Sequence, residues 1–377
     1  MSNKKLPTAN DEEIKSLIEL YHTKNYPDLE KKALEIINND KENFIAFNLL
    51  GLAKSSQNKN EDAIRTFDKA ISIKEDYAPA HNNRGNILLK IKNFSEAILS
   101  FKKAIKYEKN SDNIQLNLGN CYFSNAQYKE AINTYEILIK SNNKFTQAYQ
   151  ALAKSQSLLK EYKKSDDAYY KVLEIENNHI EAIIGISNNL FDIKEYEKAN
   201  NFISEKIKNG VENEKVYFNN GYAYQKRREY KLAIKEYDKI INLNKNYYDA
   251  YLNLSFCFLA LSNKNETIKN LEKVLEIKPD HKLALKNLGN ALLSIGDYKQ
   301  AIDYFKKFED LDTSDIDILL SSGLAYFNQS NLEDAKRYYN KALKINKKSY
   351  QALKMLGEIS FIKGNYKEAI NEFEQSL

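Results

Sequence analysis

Apolar side chains recur three and four places apart along most of this chain, the spacing of one helical face. In the stretch Lys282–Asp315 they stand at Leu285, Leu288 and Leu292, and again at Ala301, Phe305 and Phe308. Ser294-Ile295-Gly296-Asp297-Tyr298 separates the two groups, and its glycine suits a tight turn between helices. The pattern predicts two helices of roughly 14 residues in this stretch, packed back to back. The same 34-residue pattern repeats ten times from Phe44 to the C-terminus without insertion or deletion.

Three places of the unit carry its packing. The eighth is small: Gly51, Gly85, Gly119, Ala153, Ser187, Gly221, Ser255, Gly289, Gly323 and Gly357. The twentieth is mostly Ala, from Ala63 and Ala97 through Ala301, Ala335 and Ala369, with Ser165 and Thr267 as variants. The twenty-fourth is a ring or a large aliphatic group, such as Phe67, Tyr135, Ile203, Leu271 or Phe373. Small residues let two helix backbones approach, and the large group fills the seam. No unit buries its apolar stripe alone, so a fixed period of this length predicts an all-α stack of antiparallel helix pairs.

Residues Asn10–Asn43 carry a degenerate version in the same phase. Ile14, Leu17, Leu20 and Tyr21 make one stripe; Leu29, Ala33, Ile36 and Ile37 make the other. Pro27 falls in the first turn of the second helix, where its missing N–H costs little. This segment is expected to cap the array, and residues 1–9 to be disordered. One elongated domain is predicted, with the weakest unit at Ile180–Asn213, where Ser187, Ile203 and Lys206 occupy signature places.

Leu283-Ala284-Leu285-Lys286-Asn287-Leu288-Gly289-Asn290, followed by Gly296-Asp297-Tyr298-Lys299-Gln300-Ala301, resembles the tetratricopeptide repeat family. The resemblance covers nearly the whole chain. It implies a right-handed α-solenoid whose first helices line a concave, ligand-binding face. The family's proline near the end of the unit survives only as Pro279, with Glu75, Lys109 and Lys245 elsewhere.

By the family's geometry the sixth residue of each unit faces that groove. About one residue in eight is Asn, so about one Asn is expected at these ten places; five occur, Asn83, Asn117, Asn219, Asn253 and Asn287. An amide donates and accepts together, matching a peptide backbone without demanding a particular side chain. Helices about 10 Å apart would offer one amide for every three residues of a strand rising about 3.3 Å per residue. Asn219, Asn253 and Asn287 are expected to hold an extended peptide, and Asn83 with Asn117 to form a smaller second site. Asn86, Asn120 and Asn290 add amides, while Phe218, Tyr222 and Phe256 add apolar contacts. The repeats are most similar to the arms of O-GlcNAc transferases, where such a ladder holds substrate peptides. The carboxylate clamp of Hsp70/Hsp90 co-chaperones is not reproduced, because Ser321, Gln351 and Met355 stand where Asn, Lys and a basic residue are wanted.

Other chemistry is sparse. His22, His81, His179 and His281 lie in different units without ligand-spaced partners and are expected at the surface or in the groove, so no metal or other cofactor is predicted. Nothing resembles a phosphate-cradling glycine loop. The net charge of +5 is small for 377 residues, and the dense run Lys226-Arg227-Arg228 falls at a turn expected to be solvated. Nucleic acid is therefore not an expected partner. No apolar run suggests a secretory signal or a membrane span. Cys121 and Cys257 suit a reducing cytoplasm.

The expected function is a non-catalytic scaffold binding an extended segment of a partner protein. The alternative is the substrate-recruiting arm of a bacterial glycosyltransferase or sulfotransferase. The last unit stops inside its second helix, at Leu377. Ile370 and Phe373 are expected to face water there or to meet a second copy in a homodimer.

Overall fold

The structure is a computed structural model that describes residues 11–377; the expectation for residues 1–9 lies outside them. The described residues form 22 α-helices and no strand. A first pair, α1 (Asp11–His22) and α2 (Tyr26–Asn39), precedes the ten repeats. The repeats follow as α3 (Phe44–Ser56) and α4 (Asn60–Ile73), α5 (Ala78–Lys90) and α6 (Phe94–Tyr107), α7 (Asp112–Ser124) and α8 (Tyr128–Ser141), α9 (Thr146–Leu158) and α10 (Tyr162–Ile175), and α11 (Ile180–Asp192) and α12 (Tyr196–Lys208). The remaining pairs are α13 (Glu214–Lys226) and α14 (Tyr230–Leu243), α15 (Tyr248–Ala260) and α16 (Lys264–Ile277), α17 (Lys282–Ile295) and α18 (Tyr298–Glu309), α19 (Ile316–Asn328) and α20 (Leu332–Ile345), and α21 (Tyr350–Ile362) and α22 (Tyr366–Ser376). Odd-numbered helices are called A below and even-numbered helices B.

Every A helix of the repeats ends in the same way. The residue at place 15 has positive φ, and the N–H after it returns to a carbonyl five residues back, as from Asn93 to Leu88 and from Asp297 to Leu292. This closure satisfies carbonyls the helix end would leave bare. Gly296 and Gly364 fill the place without strain, as the sequence leads one to expect at Gly296. Asn58, Lys92, Ala126, Lys160, Lys194, Arg228, Ser262 and Ser330 adopt the same conformation with a side chain, at about 1–2 kcal/mol each. Asn93, Asn263 and Asn331 then accept a backbone N–H to start the next B helix.

The core repeats with the period. A Cβ added at Gly51, Gly85, Gly119, Gly221, Gly289, Gly323 or Gly357 would lie under 3.0 Å from the ring at place 24 of the same unit. These glycines are the floor on which Phe67, Phe101, Tyr135, Tyr237, Phe305, Tyr339 and Phe373 rest. The alanines at place 20, including Ala63, Ala97, Ala233 and Ala335, are fully buried beside them. Three units lack the glycine: Ser187 and Ser255 stand with the aliphatic Ile203 and Leu271, and the third keeps a ring. Ala153 replaces the glycine beneath Tyr169, and the Tyr169 ring instead presses on the next A helix, where a Cβ at Gly185 would meet it at 2.2 Å.

Leu17, Leu29, Ala33, Ile36 and Ile37 are buried between α1, α2 and α3, with Ile14, Leu20 and Tyr21 packed around them. The chain divides into two compact units, one ending at Asn189 and one beginning at Leu190. The division falls inside α11, in the repeat that departs most from the pattern. At the end of that repeat, Gly210 takes φ 93° and buried Val211 returns its N–H to Lys206, closing α12 early. In the last repeat, Ile370 is exposed as expected, whereas Phe373 is half-buried over Gly357.

Candidate peptide-binding face

Several successive A helices touch: α3 meets α5, α5 meets α7, α7 meets α9, and α17 meets α19. Places 2, 5, 6, 9 and 12 of the A helices share the face that this packing leaves open. The sequence-predicted amides lie on it, yet they are engaged differently.

Asn83 donates its amide to Asn48 at 2.9 Å, and Asn117 donates to Asn82 at 3.0 Å. Each pair joins place 6 of one unit to place 5 of the preceding one. These two side chains therefore bolt neighbouring A helices together, with one N–H and the carbonyl oxygen left for other partners. In the second unit place 5 is Phe218, Leu252 or Lys286, so the same bridge cannot form. Asn253 turns its amide back to the Asp249 carbonyl at 2.8 Å. Asn219 is half-buried. Asn86, Asn287 and Asn290 are half-buried and make no side-chain hydrogen bond to a described residue. Tyr222 packs edge-on against Phe191 at 5.2 Å, and Phe256 is 51% exposed.

Asn120 is built into a pocket. Leu116, Asn120 and Phe123 of α7 face Gln147, Gln150, Ala151 and Lys154 of α9 across a space of about 390 Å³. Its floor is Tyr135, fully buried from α8, whose hydroxyl donates to Asn120 Oδ1 at 2.8 Å. That bond fixes the amide and leaves its NH₂ to donate. Burial also pushes the Tyr135 phenol far above its ordinary range, so it stays a donor. Lys154 stands exposed at the rim without an ion pair among the described residues. The sequence reading missed Gln147, Gln150, Lys154 and Tyr135; scanning places 2, 5 and 9 as well as 6 would have found the first three.

One expectation is corrected. His81 is buried, not at the surface or in the groove: Nε2 lies 2.8 Å from the Glu75 carbonyl and the ring stacks on Tyr107. Burial holds its imidazole below the usual range. His179 and His281 are also structural, each accepting an N–H at the start of an A helix, from Ala182 and Ala284. The basic run is only partly free, since Arg227 is paired with Glu229 at 2.8 Å. Lys286 is held by Asp315 and Asp317 at 2.8 and 3.1 Å.

Among the described residues no group of three or more His, Cys, Asp or Glu is placed to hold a metal ion, and no helix is long and apolar enough to cross a membrane. Cys121 and Cys257 are free and buried, and burial pushes their thiols up to about 11 and about 12.

Helix pairs recurring every 34 residues, each A helix closed by the same left-handed turn, define an all-α repeat solenoid. Sequence models described as tetratricopeptide or TPR repeats match residues 51–92, 92–155, 146–179, 214–247, 258–316 and 320–377. The chain belongs to the tetratricopeptide-repeat family. No curated protein matches the sequence. Similar solved structures include YrrB, described as a TPR protein with an unusual peptide-binding site, at 21% identity over 50% of this chain and 97% of that one, TM-score 0.46. Others are Naa15/Naa10 bound to HypK-THB, at 16% identity over 98% and 68%, TM-score 0.42, and yeast Tom70, at 15% identity over 97% and 90%, TM-score 0.42.

Proposed function

We propose that this chain is a non-catalytic scaffold that takes an extended segment of a partner protein along its A-helix face. The α7–α9 pocket carries the reading. Leu116 and Phe123 offer an apolar wall, while Asn120, Gln147 and Gln150 surround it with amides. Pockets of this kind receive a side chain while amides beside them pair with the segment's backbone. Asn287 and Asn290 supply unengaged amides on the same face of the second unit. Two buried cysteines, not joined in a disulfide, suit a cytoplasmic setting.

The test is selection of twelve-residue peptides from a random display library on the purified chain, followed by affinity measurement on variants. Ala151→Phe fills the pocket and should weaken peptides bound there at least tenfold. Asn287→Ala with Asn290→Ala should weaken peptides bound to the second unit. Failure to enrich any peptide, or enriched peptides indifferent to all these changes, would remove the reading.

A further inference from the structure

The basic turn between α13 and α14 is only partly neutralised. At the corresponding turns of the two preceding repeats the lysine at place 19 pairs with the glutamate at place 16, Lys164–Glu161 at 2.9 Å and Lys198–Glu195 at 3.2 Å. Here place 19 is Leu232, and the glutamate at place 16, Glu229, is paired with Arg227 at 2.8 Å. Lys226, Arg228 and Lys231 are exposed and make no ion pair with any described residue. Lys226 lies over the Tyr222 ring, its Nζ 5.0 Å from the centroid. On the next A helix Phe256 is half exposed, its ring 6.4 Å from Tyr230, and Leu259 one turn on is 53% exposed. Asp192, at the place in the preceding repeat that Lys226 holds here, is exposed and of opposite sign.

Large apolar groups held in water beside unneutralised cations mark a surface that meets a partner. We propose that this ledge docks an acidic segment of a partner protein that carries an aromatic or large aliphatic side chain next to its carboxylates. The proposal rests on the A-helix face being peptide-binding and adds a charge preference to it. The apolar side chain lies between Tyr222 and Phe256, and the carboxylates reach Lys226, Arg228 and Lys231. Neighbouring A helices are about 10 Å apart and an extended chain rises about 3.3 Å per residue, so an apolar residue and an acid two or three places away span both features. Glu229 does not repel the segment, because Arg227 neutralises it. Nucleic acid fits less well: three cations at one turn give phosphates no continuing track, and Leu259 beside Phe256 suits an aliphatic neighbour better than a stacked base.

The experiment measures fluorescence anisotropy of the full chain with a labelled twelve-residue peptide of Glu alternating with Phe and Leu. Its counterparts carry Gln or Lys in place of Glu, and a twelve-nucleotide oligo-U is the fourth probe. The Glu peptide should bind at least tenfold tighter than the Gln peptide at low salt, and that advantage should vanish near 0.5 M NaCl, where the screening length falls to about 4 Å. Lys226→Glu with Lys231→Glu should abolish the advantage and favour the Lys peptide. Phe256→Ala should weaken the Glu and Gln peptides alike. Lys140→Glu, an equal charge change per residue on α8, should leave binding as it was, and circular dichroism verifies that each variant is folded. Equal binding of Glu and Gln peptides would overturn the charge preference while leaving the peptide-binding face intact. Tighter binding of oligo-U than of the Glu peptide would overturn the choice of partner. No binding of any peptide would overturn both this proposal and the reading beneath it.

Discussion

Gly289 and Phe305 offer a direct test of how each helix pair is held together. A Cβ at Gly289 would stand 2.3 Å from Phe305 Cε1 and 2.6 Å from Cδ1, more than an ångström inside ordinary contact. Phe305 is only 1% exposed, so the ring has nowhere to retreat. Gly289→Ser should therefore cost about 1–3 kcal/mol of overpacking, reduced by about 0.5 kcal/mol because serine is the better helix former. Phe305→Leu alone should cost about 1 kcal/mol through the lost ring volume. The chain already holds the alternative solution: Ser255 and Leu271 occupy the same two places in the preceding repeat, both buried. The double variant copies that pair, so the two losses should not add, and the coupling should be about 1–2 kcal/mol. Global melting of a solenoid is a poor readout, because long arrays lose cooperativity. Native-state hydrogen exchange of α17 and α18 reads the local opening instead, and 1.4 kcal/mol appears as a tenfold rate change. Strictly additive effects would show that ring and glycine do not share the seam as described.

Ala126 is exposed, with φ 56°. Ala126→Gly should stabilise the α7–α8 pair by about 0.5–1 kcal/mol, the relieved left-handed strain outweighing the freedom gained by the unfolded chain; slower local hydrogen exchange checks it, and faster exchange would contradict it. The buried imidazole of His81 should titrate below the ordinary value of about 6.5. The unfolded chain then takes up a proton at a pH where the folded chain does not, so stability is lost as pH falls from that value through the folded pKa. An NMR titration of the ring that finds its midpoint at or above 6.5 would refute this, and His81→Gln should flatten the pH dependence. Cys121 and Cys257 should react with a disulfide reagent only as fast as the array opens, and at once in denaturant; immediate labelling of the native chain would place them at the surface instead.

The repeat was legible because its determinants are local and periodic. Gly289 with Phe305, the turn at Gly296 and the apolar stripes each depend on residues within one unit. What escaped depends on how one unit sits against the next. Asn83 and Asn117 look alike on the helix, but both are tied down by Asn48 and Asn82 thirty-five residues earlier, while Asn287 has Leu252 at the equivalent place. His81 looks like a surface residue until the Glu75 carbonyl and the Tyr107 ring close over it. The left-handed residues hid for another reason. A closure demanded by the helix end holds a lysine or serine there despite its preference, so composition gives no warning.

Tyr169 resting on Gly185 makes two of the ten repeats unequal to the rest. Because the period is constant, removing one 34-residue block would leave the remaining helices in register. Excising Ile180–Asn213 would bring Asn219 into register where Gly185 now receives the ring, and its side chain would fill the space the phenol needs. Those two blocks therefore fit each other better than either fits a copy of another block.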